Sequence, residues 1–300
     1  MKTITKATIA ALLGYSIFGF SFLFSKIALD MTTPFVLLSA RFITAFLVLN
    51  LILLTGKIKI NLKGKPIKML LLMGLVQPVI YFICETYGIS MTSSSFSGIM
   101  IGLAPIMGLI FGVLLLKEKC TAFQIVCTVT SVIGVALTTT GGVTFSLPGF
   151  ILLLIAVISS AIFTVISRKV SAEFSPFERT YVMFALGSVV FTGIGLIELK
   201  GNFSLLTLPF TSPTFWGCVL YLAVVSSVCA FLFINYALNH LSAGRTLIFS
   251  NFTTVISVLA GIFIMKDAFT TIQIIGMIVI TLSVFGVSYR KEKKSELISE

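Results

Sequence analysis

Charge is scarce in this 300-residue chain: Asp, Glu, Lys and Arg make up 10% of it, against roughly 25% in an ordinary soluble domain. A water-soluble globular class is thereby excluded, because so few charges cannot solvate a chain that is 57% hydrophobic. Histidine occurs once, as His240, and the five cysteines (Cys84, Cys120, Cys127, Cys218, Cys229) form no CxxC. Neither a metal site nor a disulfide frame is expected; the cysteines read as small apolar packing residues. A GxxxxGK(S/T) loop is also missing, which disfavours ATP-driven transport by this chain alone. One embedded Glu and one embedded Arg are too few for converging catalytic groups, so no enzyme activity and no cofactor are expected. A multi-pass membrane enzyme and a receptor or scaffold remain as the alternatives to a carrier.

What the chain does have is a succession of apolar runs, each about long enough to cross a hydrocarbon core roughly 30 Å thick as a helix. Ten are expected, at about 7–28, 34–55, 67–90, 94–116, 121–141, 148–169, 177–198, 214–238, 244–265 and 270–289. The net charge of +11 follows the loops between them. Seventeen of the 21 Lys and Arg residues, beginning with Lys2 and Lys6, fall on alternate loops; Lys26, Lys200 and Lys266 fall on the others, and Arg41 is within a span. This is the positive-inside pattern, so both termini are expected in the cytoplasm, in the cell membrane, with no nucleic-acid partner. Lys2 and Lys6 ahead of an apolar run also suit a secretory signal, but the run is too long and lacks a small-x-small cleavage site.

Two parts of the chain are versions of one another. A shift of 149 residues lays Tyr87, Ser93, Gly112, Lys117 and Gln124 on Tyr236, Ser242, Gly261, Lys266 and Gln273, and Glu118 on Asp267. Nearer the start of each half the shift is 142, placing Ser25-Lys26 on Ser167-Arg168 and Pro34-Phe35 on Pro176-Phe177. Five spans per half is an odd number, so the second half enters the membrane upside down. The expected fold is an all-α membrane protein of ten transmembrane helices in two inverted five-helix repeats: 1–141, 148–290 and a cytoplasmic tail, 291–300. A structure and its inverted copy can exchange inward-open and outward-open shapes, which links the duplication to alternating access.

"FGFSFLFSK" (Phe18 to Lys26), Pro34 followed by Arg41, "YGISMTSSSFSGIMIGLAP" (Tyr87 to Pro105), "LLLKEK" (Leu114 to Lys119) and Gln124 resemble the EamA-type branch of the drug/metabolite transporter superfamily. The resemblance covers nearly all of both halves. It implies a cavity lined largely by helices 1, 3, 4, 6, 8 and 9, and export or uptake of a small metabolite such as an amino acid, amine or drug-like solute, with export favoured. Phe18 stands where many members carry Trp, and Cys127 where a Gly usually follows the Gln by three, as Gly276 does.

Glu85 and Arg41 are the ionisable residues deep in predicted spans, where each costs about 2.5–3.5 kcal/mol on insertion scales. Counted along their helices they lie at similar depth, so they either pair directly or share a polar cavity. A fixed ion pair and a proton or substrate site are both open readings. Gln77, Tyr81 and Glu85 recur at intervals of four and form one polar stripe. Tyr15, Phe18 and Phe22 form an aromatic stripe, either a cavity wall or ordinary packing. Gly98, Gly102, Gly108 and Gly112 permit close helix approach, and Pro105 among them is expected to bend its helix, serving packing or a gate. Asn235, Asn239, Asn251 and Thr254 either coordinate a solute or bond between helices; His240 reads as a solvated helix end. The lipid bilayer, a small solute and protons are the expected partners, and a homodimer is left open.

Overall fold

The computed structural model describes residues 2–56, 58–116, 121–139, 146–199, 209–241, 246–247, 249–266, 270–272 and 274–283. Among them the chain is helical and contains no strand. Six helices are long and apolar enough to cross a membrane. They are α1 (Lys2–Leu29), α2 (Pro34–Leu54), α3 (Ile67–Met91), α6 (Leu147–Val170), α7 (Pro176–Leu199) and α8 (Pro213–His240). The other four expected spans hold shorter apolar helices: α4 (Ser94–Ile101 and Ala104–Leu116), α5 (Ala122–Thr139), α9 (Ser250–Met265) and α10 (Ile274–Ser283). Lys117, Glu118, Lys200, Asp267, Gln273 and the 291–300 tail lie outside the described residues, as do the surroundings of Gly112.

Local chemistry sets several boundaries. Pro34 and Pro176 open α2 and α7, where a missing N–H is harmless. At α7 a capping box completes the start: Ser175 N–H donates to Glu178 Oε2 at 2.8 Å and Glu178 N–H donates to Ser175 Oγ at 3.1 Å. Within α3, Pro78 withdraws a backbone donor and forces its predecessor out of helical geometry, leaving Gln77 at φ −145°, ψ 115° with a cis Gln77–Pro78 bond. The result is a wide-turn segment, Leu75–Ile80. A second wide-turn segment, Tyr221–Cys229, interrupts α8, and the 149-residue shift lays the first on 224–229, inside it. Helix α4 breaks at Gly102 and Leu103, with Pro105 in the first turn of its second piece.

Helix pairing is two-fold in plan, and the repeat mates that touch run antiparallel. α2 runs against its repeat mate α7: Thr33 meets Glu198, Ser39 meets Phe191, and Asn50 meets Tyr181. α4 runs against its mate α9, where a methyl at Gly98 would overlap Ser257 and one at Gly102 would overlap Thr254, so glycine is what lets these helices touch. The pairing of α1 with α8 is matched by that of α6 with α3. Ala7 and Ala11 at the start of α1 pack on Ala237 and Leu241 at the end of α8, while Ala28 packs near Phe215 and Cys218 at its start. Gly88 and Thr92 at the end of α3 likewise meet Leu153 and Gly149 at the start of α6.

Lipid supplies no hydrophobic drive between helices, so close packing must hold them. An aromatic cluster does much of this at the centre: Phe42 lies 4.9 Å from Phe184, 4.7 Å from Phe191 and 5.1 Å from Phe82, and Phe231 touches Phe184 and Phe163. Such pairs contribute about 0.5–1.5 kcal/mol each beyond their area. Large apolar side chains such as Leu54, Ile197 and Phe263 face outward, as a lipid-facing surface requires.

Candidate substrate cavity

A narrow cavity of about 30 Å³, with room for little more than a water molecule, lies where α1, α3, α4, α6, α8 and α9 converge. These are the six helices that the sequence resemblance implies. α1 presents Tyr15, Phe18 and Phe22, three and four residues apart and so on one face. Opposite them are Phe163, Phe231 and Ile234, while Gln77, Tyr81, Ser160, Thr164, Ser250 and Thr253 supply the polar part of the wall. Gln77 is placed there by the wide turn in α3, whose extended residue it is. Such segments recur at functional sites because they turn backbone and side chains out of the regular helical rows. An apolar, aromatic wall with a few convergent hydrogen-bonding groups has the chemistry of a small-solute site, and in this conformation the helices close it too tightly to admit one.

The aromatic stripe of α1 both lines the cavity and packs. Phe18 contacts Phe231 edge-on at 5.2 Å and Tyr15 at 6.2 Å, and Phe22 is nearly inaccessible in the core. Thr253 Oγ1 donates to the Tyr15 carbonyl at 2.8 Å, tying α9 to α1 beside the cavity.

Glu85 is one turn behind Tyr81 and buried. Tyr81 Oη donates to Glu85 Oε1 at 3.0 Å, and the other carboxylate oxygen has no hydrogen-bond partner among the described residues. Of the two readings left open, the direct Glu85–Arg41 pair is not formed: among the described residues the ion pair within 4.0 Å is Lys65–Glu178, at 2.9 Å. Arg41 instead reaches into the wide turn of α8, donating from Nε to Ser227 Oγ at 2.9 Å and from Nη2 to Ser226 Oγ at 3.2 Å. Its guanidinium lies over the Phe82 ring, 4.4 Å from the centroid. Phe82 is three residues before Glu85 on α3, so the guanidinium and the carboxylate lie on the same side of that helix. Their equal depth was legible, but the direction in which the arginine turns is set by the hydroxyls that the wide turn offers.

The remaining candidates are spread out. Asn235 is buried outside the cavity wall: Ser167 Oγ donates to its Oδ1 at 2.9 Å, and its Nδ2 donates to Thr180 Oγ1 at 3.0 Å. Asn251 shares a separate crevice with Thr254, Ile280 and Thr281. Gly102 lies at the break in α4, and a side chain at Gly108 would meet Leu247. His240 is exposed and edge-on to Tyr236.

Arg179 is the residue that sequence reasoning misjudged. It reads as a loop charge but is fully buried. Its Nη1 donates to Ser167 O and Oγ at 2.9 and 2.7 Å, and its Nη2 donates to Asn235 O at 2.6 Å and to Asn239 Oδ1. The available signal was its place one residue after the acid of an S-x-x-E capping box.

Six helices long and apolar enough to span a membrane, with a cavity among them, suit a multi-pass membrane transporter. The chain belongs to the EamA-like transporter family, which matches residues 5–140 and 147–289, one repeat in each half. It is 34% identical over 298 residues to the uncharacterized transporter YcxC of Bacillus subtilis strain 168, covering 97% of this chain and 96% of that protein. An uncharacterized transporter of Archaeoglobus fulgidus is 23% identical over 283 residues, covering 93% and 98%. One solved crystal structure superposes with a TM-score of 0.68 at 14% identity, covering 96% of this chain and 98% of that one, a likeness of fold alone.

Proposed function

We propose that this chain is a secondary carrier that exports a small organic solute across the cell membrane by alternating access, coupled to protons through Glu85. The observation that carries the reading is the cavity at the meeting of six helices drawn equally from the two halves. In this reading ten spans form two inverted repeats, an arrangement supported by the antiparallel pairing of repeat mates. The alternate-loop bias of Lys and Arg supports cytoplasmic termini.

The cavity favours a solute with an apolar or aromatic body and one or two polar groups, such as an amino acid or an amine. Tyr15, Phe18 and Phe22 hold the body, and Gln77 and Tyr81 the polar end. Glu85 is behind Tyr81 with one oxygen unpartnered, so a proton there would displace no existing bond. A proton arriving at Glu85 lets Tyr81 turn its hydroxyl to the solute, which links protonation to binding without direct contact.

The test is solute-driven proton movement in reconstituted vesicles, using a panel of amino acids, amines, nucleosides and organic acids with wild type and Glu85→Gln. Wild type should move protons with at least one class, and the variant should still exchange that solute without moving protons. Unchanged coupling in Glu85→Gln would leave the carboxylate a structural partner of Tyr81 and remove it from the mechanism.

A further inference from the structure

Lys26, near the end of α1, points its ammonium at the end of α3. Its Nζ donates to the carbonyls of Ile89 at 3.2 Å, Ser90 at 3.5 Å and Thr92 at 2.9 Å. Arg168, near the end of α6, does the same to α8, donating from Nη1 to the carbonyls of Leu238 at 2.7 Å and Asn239 at 3.1 Å. The cations correspond under the 142-residue shift, and Ile89 and Ser90 correspond to Leu238 and Asn239 under the 149-residue shift. The same interaction is thus kept in both halves across an insertion. Last-turn carbonyls lack intrahelical partners and carry the negative end of the helix dipole, which makes them natural acceptors for a cation.

Capping alone does not explain which helices are joined. α1 packs along α8 and α9, whereas α6 packs along α3 and α4; the two groups touch along the α4–α9 seam, and the cavity lies between them beside that seam. Lys26 crosses from the first group to the second; Arg168 crosses from the second to the first. Because α1 and α8 are antiparallel, the two crossings stand at opposite ends of the cavity.

We infer that Lys26 and Arg168 are a matched pair of gate residues, each holding the two helix groups together at one end of the cavity. The inference rests on the carrier reading. Opening toward one end must part the groups there and break that clamp while the other holds. The two are unequal. Arg179 braces the Arg168 end by binding Ser167, Asn235 and Asn239, whereas its counterpart under the 142-residue shift is the apolar Leu37. The Lys26 end is therefore the one that opens more readily.

The test reads access to the cavity without needing a solute. Ser160→Cys in the cavity wall, in a background whose native cysteines are replaced by alanine, is labelled with a membrane-impermeant maleimide from either side of the membrane. Lys26→Met should raise labelling from the Lys26 end roughly tenfold, and Arg168→Met should raise it from the opposite end, by the factor expected for losing a charge-assisted hydrogen bond. Lys26→Arg and Arg168→Lys should label like the parent. As a second measurement, amide exchange in the cysteine-intact protein should speed up at 89–92 alone in Lys26→Met and at 238–240 alone in Arg168→Met. No change, or an equal rise from both ends, would reduce the cations to fold-holding caps and overturn the inference. Solute flux without sided labelling would reject the gates and keep the carrier, whereas sided labelling with no flux across the panel would uphold the gates and count against the assigned solute.

Discussion

Among the described residues two arginines are buried without a carboxylate within ion-pair distance, and both grip α8, but they grip it by different atoms. Arg179 holds two backbone carbonyls, a hydroxyl and an amide oxygen near the helix end, where unpaired carbonyls supply fixed negative potential. Arg41 holds only two serine hydroxyls in the wide turn and lies on a phenyl ring. Hydroxyls rotate freely and a ring face is a weak acceptor, so Arg41 can be turned toward another anion at small cost. Arg179 is thus a structural cation and Arg41 an available one, held over Phe82 one helical turn before Glu85.

The sharpest way to break that distinction is to remove each guanidinium. Arg179→Met strips partners from Ser167, Asn235 and Asn239 inside the protein, where no water replaces them. It should lower unfolding stability in detergent by about 3 kcal/mol or more, read by denaturant titration. Arg41→Met keeps a stem of similar length over Phe82 and frees two hydroxyls that can bond to their own helix. Its stability loss should stay near 1 kcal/mol, while solute flux in vesicles falls by about tenfold or more. Equal stability losses for the two variants would mean that Arg41 is as much a fixed strut as Arg179.

Much of this arrangement was legible in the sequence, and the failures have physical causes. The six long helices and the two-half plan follow from apolar length and from the repeat. The wide turn of α3 follows from Pro78, which the sequence reading passed over, and its counterpart in α8, Tyr221–Cys229, contains neither proline nor glycine and so carries no local signal. Pro105 suggested a bend, yet the break precedes it, because a proline sits comfortably in the first turn of a new helical piece. Depth along a helix put Arg41 level with Glu85, but depth does not fix azimuth, and the serines that capture Arg41 are 185 and 186 residues away. Arg179 was misjudged for a related reason: three residues into a helix reads as a membrane edge, and only α6 and α8 closing over it make that edge an interior.

The smallest effect is the most diagnostic of how each arginine is held. Ser227→Ala removes the acceptor of Arg41 Nε and leaves Nη2 on Ser226; Asn239→Ala removes one acceptor of Arg179 Nη2 and leaves it on the Asn235 carbonyl. Both should cost no more than about 1 kcal/mol in stability, since each leaves the cation with other partners. They should differ in coupling. Combined with Glu85→Gln, Asn239→Ala should be additive, because Arg179 belongs to another network. Ser227→Ala should deviate from additivity by about 0.5 kcal/mol or more, because a loosened Arg41 leans toward the carboxylate when that charge is present and not when it is gone. Additivity in both double variants would show that Arg41 ignores Glu85, and the contrast between the two arginines would then be one of packing alone.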